Sequence, residues 1–221
     1  MRRTSYGYHT TRYTCPVPKL RFFWDYMNEQ TERIRRVVGV LRRLRIPYAL
    51  IGGHAASYHG RPRVTVDVDF LVAGKSLPRL EAALPEEGFV VRRRGEVLSA
   101  WEKGQDPAAD EPVVDLVPAE YNRTQEEALR TAEQVRYQKI LLRVVTRPAV
   151  VALKYLSAVS PHRAAPDKAQ DVADLGHIVK QSWTPADQVE ARRLVDLSNP
   201  GLSRDLDRLI DDLVHDRPIT I

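Results

Sequence analysis

The chain has 221 residues, 43% of them hydrophobic, and a formal net charge of +5, enough apolar material for one domain or for one domain with a helical appendage. Its single cysteine, Cys15, excludes an internal disulfide, and no Cys/His spacing resembles a zinc site, so a reducing, cytoplasmic setting is expected. No apolar run approaches the roughly 18–20 residues of a bilayer span, and the N-terminus lacks the apolar stretch of a secretory signal, so no membrane partner is expected.

Residues 1–24 hold Tyr6, Tyr8, Tyr13 and Pro16-Val-Pro18 without periodicity and read as a flexible arm. From about Asp25 to Arg45, Ile34, Val37, Val38, Leu41 and Leu44 recur at three- and four-residue spacing, which predicts an amphipathic helix ending before Pro47. Its other face carries Arg33, Arg35, Arg36, Arg42, Arg43 and Arg45, so that residues 1–47 have a net charge of +8 and the remainder −3. Such a stripe suits a phosphate backbone; the alternative is an ordinary solvated helix face.

Tyr48–Ile51 reads as a short strand, Gly52-Gly53 as a break, and His54–His59 as a brief helix. Val64–Val72 follows as a strand, and Ser76-Leu-Pro opens a capped helix closing near Gly88. Phe89–Arg92 and Val97–Trp101 predict a hairpin through an Arg92–Gly95 turn, and Pro112–Val117 another strand. A helix starts at Asn122 or Thr124 and runs through Leu129, and Ile140–Val145 is the last strand. Beyond Pro148 the pattern is helical: 149–159, 169–179, a Thr184-Pro-Ala-Asp helix start and 205–214. The expected fold is α+β: a core at 25–146 with a mixed β-sheet flanked by helices, followed by a helical C-terminal part at 147–221 that packs on it and completes the active site.

Asp67 and Asp69 lie two residues apart in an apolar strand, so both carboxylates project to one face while Val66, Val68 and Phe70 point into a core. Two adjacent anions there call for a cation between them, and Mg²⁺ is the usual solution. Asp115, alone in Val-Val-Asp-Leu-Val, is the candidate third carboxylate, provided its strand neighbours that of Asp67 and Asp69; three such groups can hold two Mg²⁺ for in-line phosphoryl chemistry. Gly52-Gly53 between strand and helix lets the backbone approach phosphate oxygens, the alternative being a plain tight turn. His54 and His59 either face a nucleotide or pack a helix, and neither is assigned catalysis.

Leu50-Ile51-Gly52-Gly53, thirteen residues, then Asp67-Val-Asp69-Phe resembles the signature of the DNA polymerase β-like nucleotidyltransferase superfamily. Gly-Gly-His-Ala with Gly60 and Arg63-x-Thr65-x-Asp67-x-Asp69 is similar to its AbiEii/MenT toxin group, as are Ala152-Leu-Lys154-Tyr-Leu-x-Ala158, Arg163 and Asp171-x-x-Asp174-Leu175. That group often has Lys-Asp where this chain has Gln170-Asp171. The resemblance implies a nucleotidyltransferase-type fold with Asp67, Asp69 and Asp115 as Mg²⁺ ligands, and Asp115 also accepting the acceptor's proton. Gly52, Gly53, Arg63 and Lys154 would hold the NTP, with Asp171 and Asp174 orienting Lys154 or the nucleotide. It further implies NMP transfer to a tRNA 3′ acceptor end by a toxin with a cognate antitoxin. The alternatives are transfer to a small molecule or protein, or a catalytically silent module that binds NTP or a partner.

Overall fold

The computed structural model describes residues 18–60 and 62–219. Helix α1 spans Pro18–Arg43, β1 Tyr48–Leu50, α2 Gly52–His59, β2 Val68–Val72 and α3 Leu77–Ala83. Strands β3 (Phe89–Arg94), β4 (Val97–Glu102) and β5 (Val114–Pro118) follow, then α4 (Arg123–Thr131), β6 (Glu133–Tyr137) and β7 (Ile140–Val144). Helices α5 (Arg147–Ala158), α6 (Ala165–Ser182), α7 (Pro185–Ser198) and α8 (Ser203–Val214) complete the chain as described. None of the described helices is long and apolar enough to cross a membrane.

The strands form one mixed sheet in the order β3-β4-β5-β2-β1-β7-β6. β2 runs parallel to β5 and β1 parallel to β7, while the other neighbours are antiparallel. Leu98, Leu116 and Phe70 stand in register across β4, β5 and β2, as do Ala100, Val114 and Val68. All six are fully buried, so one sheet face is a continuous apolar surface. α3 covers that face at the β3 edge, where Arg93 pairs with Glu81 at 3.1 Å; the next residue, Arg94, points the opposite way, toward the cleft described below. Helices α5–α8 pack on one another, with α2 and α4 linking them to the sheet.

Several expectations are corrected. α1 begins at Pro18 rather than near Asp25, with proline suited to a first helical position; the arm reading at 1–17 lies outside the described residues. The strand expected from Val64 begins only at Val68, and Asp67 sits between a bend at Val66 and the strand. β1 ends at Leu50, opposite Phe70, because the chain turns into α2; on the other side Pro112 has no N–H to extend the ladder. Residues 64–67 therefore have no strand partner, and Val66, expected in the core, is 61% exposed. The hairpin turn is Gly95-Glu96, and Arg92–Arg94 belong to β3. Ser76 stands before α3 but makes no side-chain cap bond, because it ends a 3₁₀ turn at Gly74–Ser76. β6 has no counterpart in the sequence reading.

Part of the arginine stripe is engaged within the fold, while Arg35, Arg42, Arg43 and Arg45 remain exposed. Arg33, 3% exposed, bonds Glu102 at 3.0 Å and Glu29 at 3.1 Å. Arg36 bonds the same Glu102 at 2.6 Å and lies over the Phe89 ring, and Arg43 pairs with Glu87 at 2.8 Å. These bonds tie α1 to β3, β4 and the turn before β3.

Candidate active site

The adjacency that Asp115 required is present. β2 and β5 are parallel neighbours, and Asp69 stands directly opposite Asp115. Because both side chains project from the face opposite the Phe70–Leu116 layer, they meet on the floor of a cleft of about 960 Å³ whose lining also includes Asp67. The sheet supplies this floor. The α2 N-terminus and residues 63–67 form one wall, and α5 with α6 another.

Gly52 and Gly53 are the first residues of α2, whose N-terminus has no side-chain cap and no acidic residue in its first turn. Its unengaged N–H groups and positive dipole end are therefore offered to the cleft. Gly52 has φ +64°, and a Cβ there would lie 1.8 Å from Asp69 Oδ2. A Cβ on Gly53 would lie 2.4 Å from Thr65 Oγ1 and 2.8 Å from Arg63 Nη2. The double glycine thus lets the helix start touch the carboxylate on one side and the 63–67 segment on the other.

Partly buried Asp69 is pushed up to about 7, by desolvation first and then by the charges of Asp67 and Asp115, with Lys154 and Arg163 pulling the other way. Asp115 is raised by desolvation, against a 2.5 Å hydrogen bond from Ser99 Oγ and the nearby Arg94. Asp67 is exposed and accepts from Thr65 Oγ1 at 3.3 Å. Among the described residues no three acidic, His or Cys groups already close around one point. The donor set nevertheless fits a hard divalent cation: it is all carboxylate oxygen, cleft-facing, and its charges repel one another, adding to the desolvation that raises Asp69.

Across the cleft, α5 and α6 carry a buried ion network. Lys154 Nζ donates to Asp171 Oδ1 at 2.7 Å and approaches Asp174 Oδ2 at 2.9 Å, with both aspartates at most 3% exposed. Arg163 donates to Asp171 at 3.1 Å, while Arg63 grips Asp174 through Nε at 2.8 Å and Nη2 at 3.1 Å. Burial alone would raise Asp174, but the Arg63 bonds and the Lys154 ammonium outweigh it and hold that carboxyl below the usual range. Lys154 lines the cleft with two of its three ammonium hydrogens engaged.

Gly52, Gly53, Arg63, Asp67, Asp69, Asp115, Lys154 and Asp171, all named from the sequence, line this one cleft, while Asp174, named with Asp171, stands behind it and holds Arg63 and Lys154. His54 and His59 do not. His54 Nδ1 meets Tyr137 Oη at 3.0 Å, and His59 Nε2 meets the Val145 carbonyl at 2.7 Å, which are packing roles. Burial lowers both, His54 to about 4. Ser99 was missed. Its signal was a small hydroxyl in mid-strand among Leu98, Ala100 and Trp101, which means little until β4 is known to neighbour Asp115.

No family model matches the chain, and no curated protein sequence does. Among solved structures, a nucleotidyltransferase-like protein from Paracoccidioides brasiliensis superposes with a TM-score of 0.51 at 19% identity, over 81% of this chain and 93% of that one. The antibiotic-resistance factor ANT(2″)-Ia superposes with a TM-score of 0.54 at 14% identity, over 86% of this chain and 99% of that one. The chain has the nucleotidyltransferase fold.

Proposed function

We propose that this protein is a divalent-metal-dependent nucleotidyltransferase, which moves an NMP from an NTP to an acceptor hydroxyl and releases pyrophosphate. The observation that carries the reading is Asp69 opposite Asp115 on parallel strands, with Asp67 beside them and the uncapped α2 N-terminus adjoining. Asp67, Asp69 and Asp115 would hold Mg²⁺, which when bound supplies charge neutralisation at the reacting phosphate.

The protein's own groups account for the rest. Backbone N–H groups at Gly52 and Gly53 bind the triphosphate, with the remaining Lys154 hydrogen and Arg163 on the facing wall. The acceptor oxygen forms a bond to the α-phosphorus as the bond to the pyrophosphate oxygen breaks. Asp115, raised by its surroundings and oriented by Ser99, takes the acceptor's proton. Arg63, held by Asp174, braces the wall beside Gly53.

The resemblance to AbiEii/MenT toxins supports a tRNA 3′ end as acceptor and control by an antitoxin. A second reading, transfer to a small-molecule hydroxyl, is favoured by the pairing of Arg33 and Arg36 with Glu102 within the fold, which leaves less free cationic surface for RNA. The fold shared with an antibiotic-resistance factor agrees with it. Incubation with each labelled NTP, Mg²⁺ and either total tRNA or an aminoglycoside panel separates the two by where the label goes. Asp69→Asn is expected to abolish transfer to either acceptor while the apo protein stays folded, since the change removes a repelled charge. Full activity of that variant would sink the proposal, and a silent module would show no transfer even in the wild type.

A further inference from the structure

Residues 62–67 carry Asp67 into the cleft without belonging to any strand or helix. Arg63 ties one end of this segment to Asp174, as described above. The other end is tied from α1. Gln30 Nε2, on α1, donates to the Val66 carbonyl at 3.0 Å, and Arg33 Nη1 reaches the same oxygen at 3.4 Å.

We infer that Gln30 is a positioning residue for the Asp67 carboxylate, acting through the Val66 carbonyl. This rests on the reading of the cleft as a metal-dependent nucleotidyltransferase site. Val66 immediately precedes Asp67, and its side chain is 61% exposed, so apolar burial does not hold the backbone there. The ladder begins only at Val68, whose N–H bonds the Val113 carbonyl at 3.0 Å. Between the last strand bond and the Arg63 anchor, the buried Thr65 and the bonds at the Val66 carbonyl locate the backbone that presents Asp67, and the Val66 bonds are the ones that come from α1.

Gln30 itself is unusual for a helix residue. It is 2% exposed, and its Oε1 has no hydrogen-bond partner among the described residues. A buried amide with an unpaired oxygen is poorer for stability than a methionine or leucine of similar size. What the amide supplies, and an apolar side chain cannot, is the donor to Val66. The opposite amide orientation would set two oxygens face to face, so the carbonyl fixes which end points at it. Arg33 Nη1 gives that oxygen a second, longer bond at 3.4 Å, and the bonds of its Nε to Glu102 and Nη2 to Glu29 hold the guanidinium at that distance, so Gln30 is the closer donor. α1 thereby belongs to the active-site scaffold, as the outer support of a first metal ligand.

Gln30→Met tests this. Mn²⁺ is titrated into wild type and variant with each of the four NTPs, bound Mn²⁺ is followed by electron paramagnetic resonance, and folding is followed by thermal melting. The variant is expected to melt close to wild type and to bind Mn²⁺ about tenfold more weakly in the NTP complex, the lower end of what loss of an outer support costs a metal site. Arg35→Ala, which removes an exposed α1 pair with Glu32, should leave binding unchanged. A folded Gln30→Met protein that binds Mn²⁺ within twofold of wild type overturns the inference. If that variant does not fold, Gln30→Asn, which withdraws the amide by one methylene, carries the same test, and failure of both to fold overturns it too by making Gln30 a core residue. Wild type that binds no Mn²⁺ with any NTP would overturn the metal reading itself, and this inference with it.

Discussion

Glycines show how differently one residue type serves in this chain. Gly52 needs its missing side chain twice over, for a left-handed φ of +64° and for contact with Asp69. Gly52→Ala is expected to abolish nucleotide binding and to destabilise by at least the roughly 1–2 kcal/mol of a left-handed alanine. Gly39, exposed within α1 and with open space for 4 Å around the place a Cβ would take, is the contrast. Gly39→Ala should raise stability by up to about 1 kcal/mol, read from urea midpoints. His54 supplies a pH dependence. Burial lowers it from 6.5 to about 4, against Asp67, which raises it, and with Arg63 and Arg33, which lower it further. The unfolded chain therefore binds the proton more readily, so this contribution is present above about 6.5 and is lost as pH falls toward 4. The raised Asp69 has the opposite slope, its contribution fading as pH rises toward about 7. The difference between wild type and His54→Leu isolates the histidine: the variant should lose less stability between pH 6.5 and 4.5 than wild type does. The candidate residues were legible from type and spacing, but the duties of Ser99 and Gln30 were not, since each acts on a residue reached only across the fold.

Among the elements, those defined by local chemistry were legible and those defined by a partner were not. Thr184 opens α7 as a full capping box, accepting from the Asp187 N–H at 3.2 Å while Asp187 accepts from the Thr184 N–H at 2.9 Å. Thr184→Ala should cost about 1 kcal/mol. Asp187→Ala should cost more, because it also frees Arg147, paired with that carboxylate at 2.8 Å; thermal melts of the two variants rank them. β6 shows the other case. Its hairpin with β7 turns through Gln138 and Lys139, both at positive φ, 46° and 64°, in place of the Asn-Gly or Gly pair that advertises such a turn. Val64–Val66 failed in the opposite sense. Their apolar β-branched pattern reads as strand, yet a strand needs a neighbour, and β1 has already turned away at Gly52.

At the scale of the molecule, one chain of alternating charge joins the segment at the sheet to the C-terminal helices: Arg63, Asp174, Lys154, Asp171 and Arg163. Removing the central cation leaves two buried carboxylates. Breaking such a pair costs on the order of 3–5 kcal/mol, lessened here because each aspartate keeps an arginine. Lys154→Met should therefore unfold at clearly lower urea, and adding Asp171→Asn should restore part of the loss; simple additivity of the two changes would refute the coupling.

The sequence by itself determined which residues were candidates for a site, where most helices lie, and that a glycine pair and spaced aspartates belong together. These follow from residue type, capping and short periods, which act over a few positions. The tertiary structure decided that Asp115 stands opposite Asp69, that Asp67 leaves the strand, that Arg33 and Arg36 of α1 serve the fold, and that Lys154 is shared between two aspartates. Each depends on strand order and helix docking between residues distant in the chain, and no local pattern encodes which partner a strand or a charge will find.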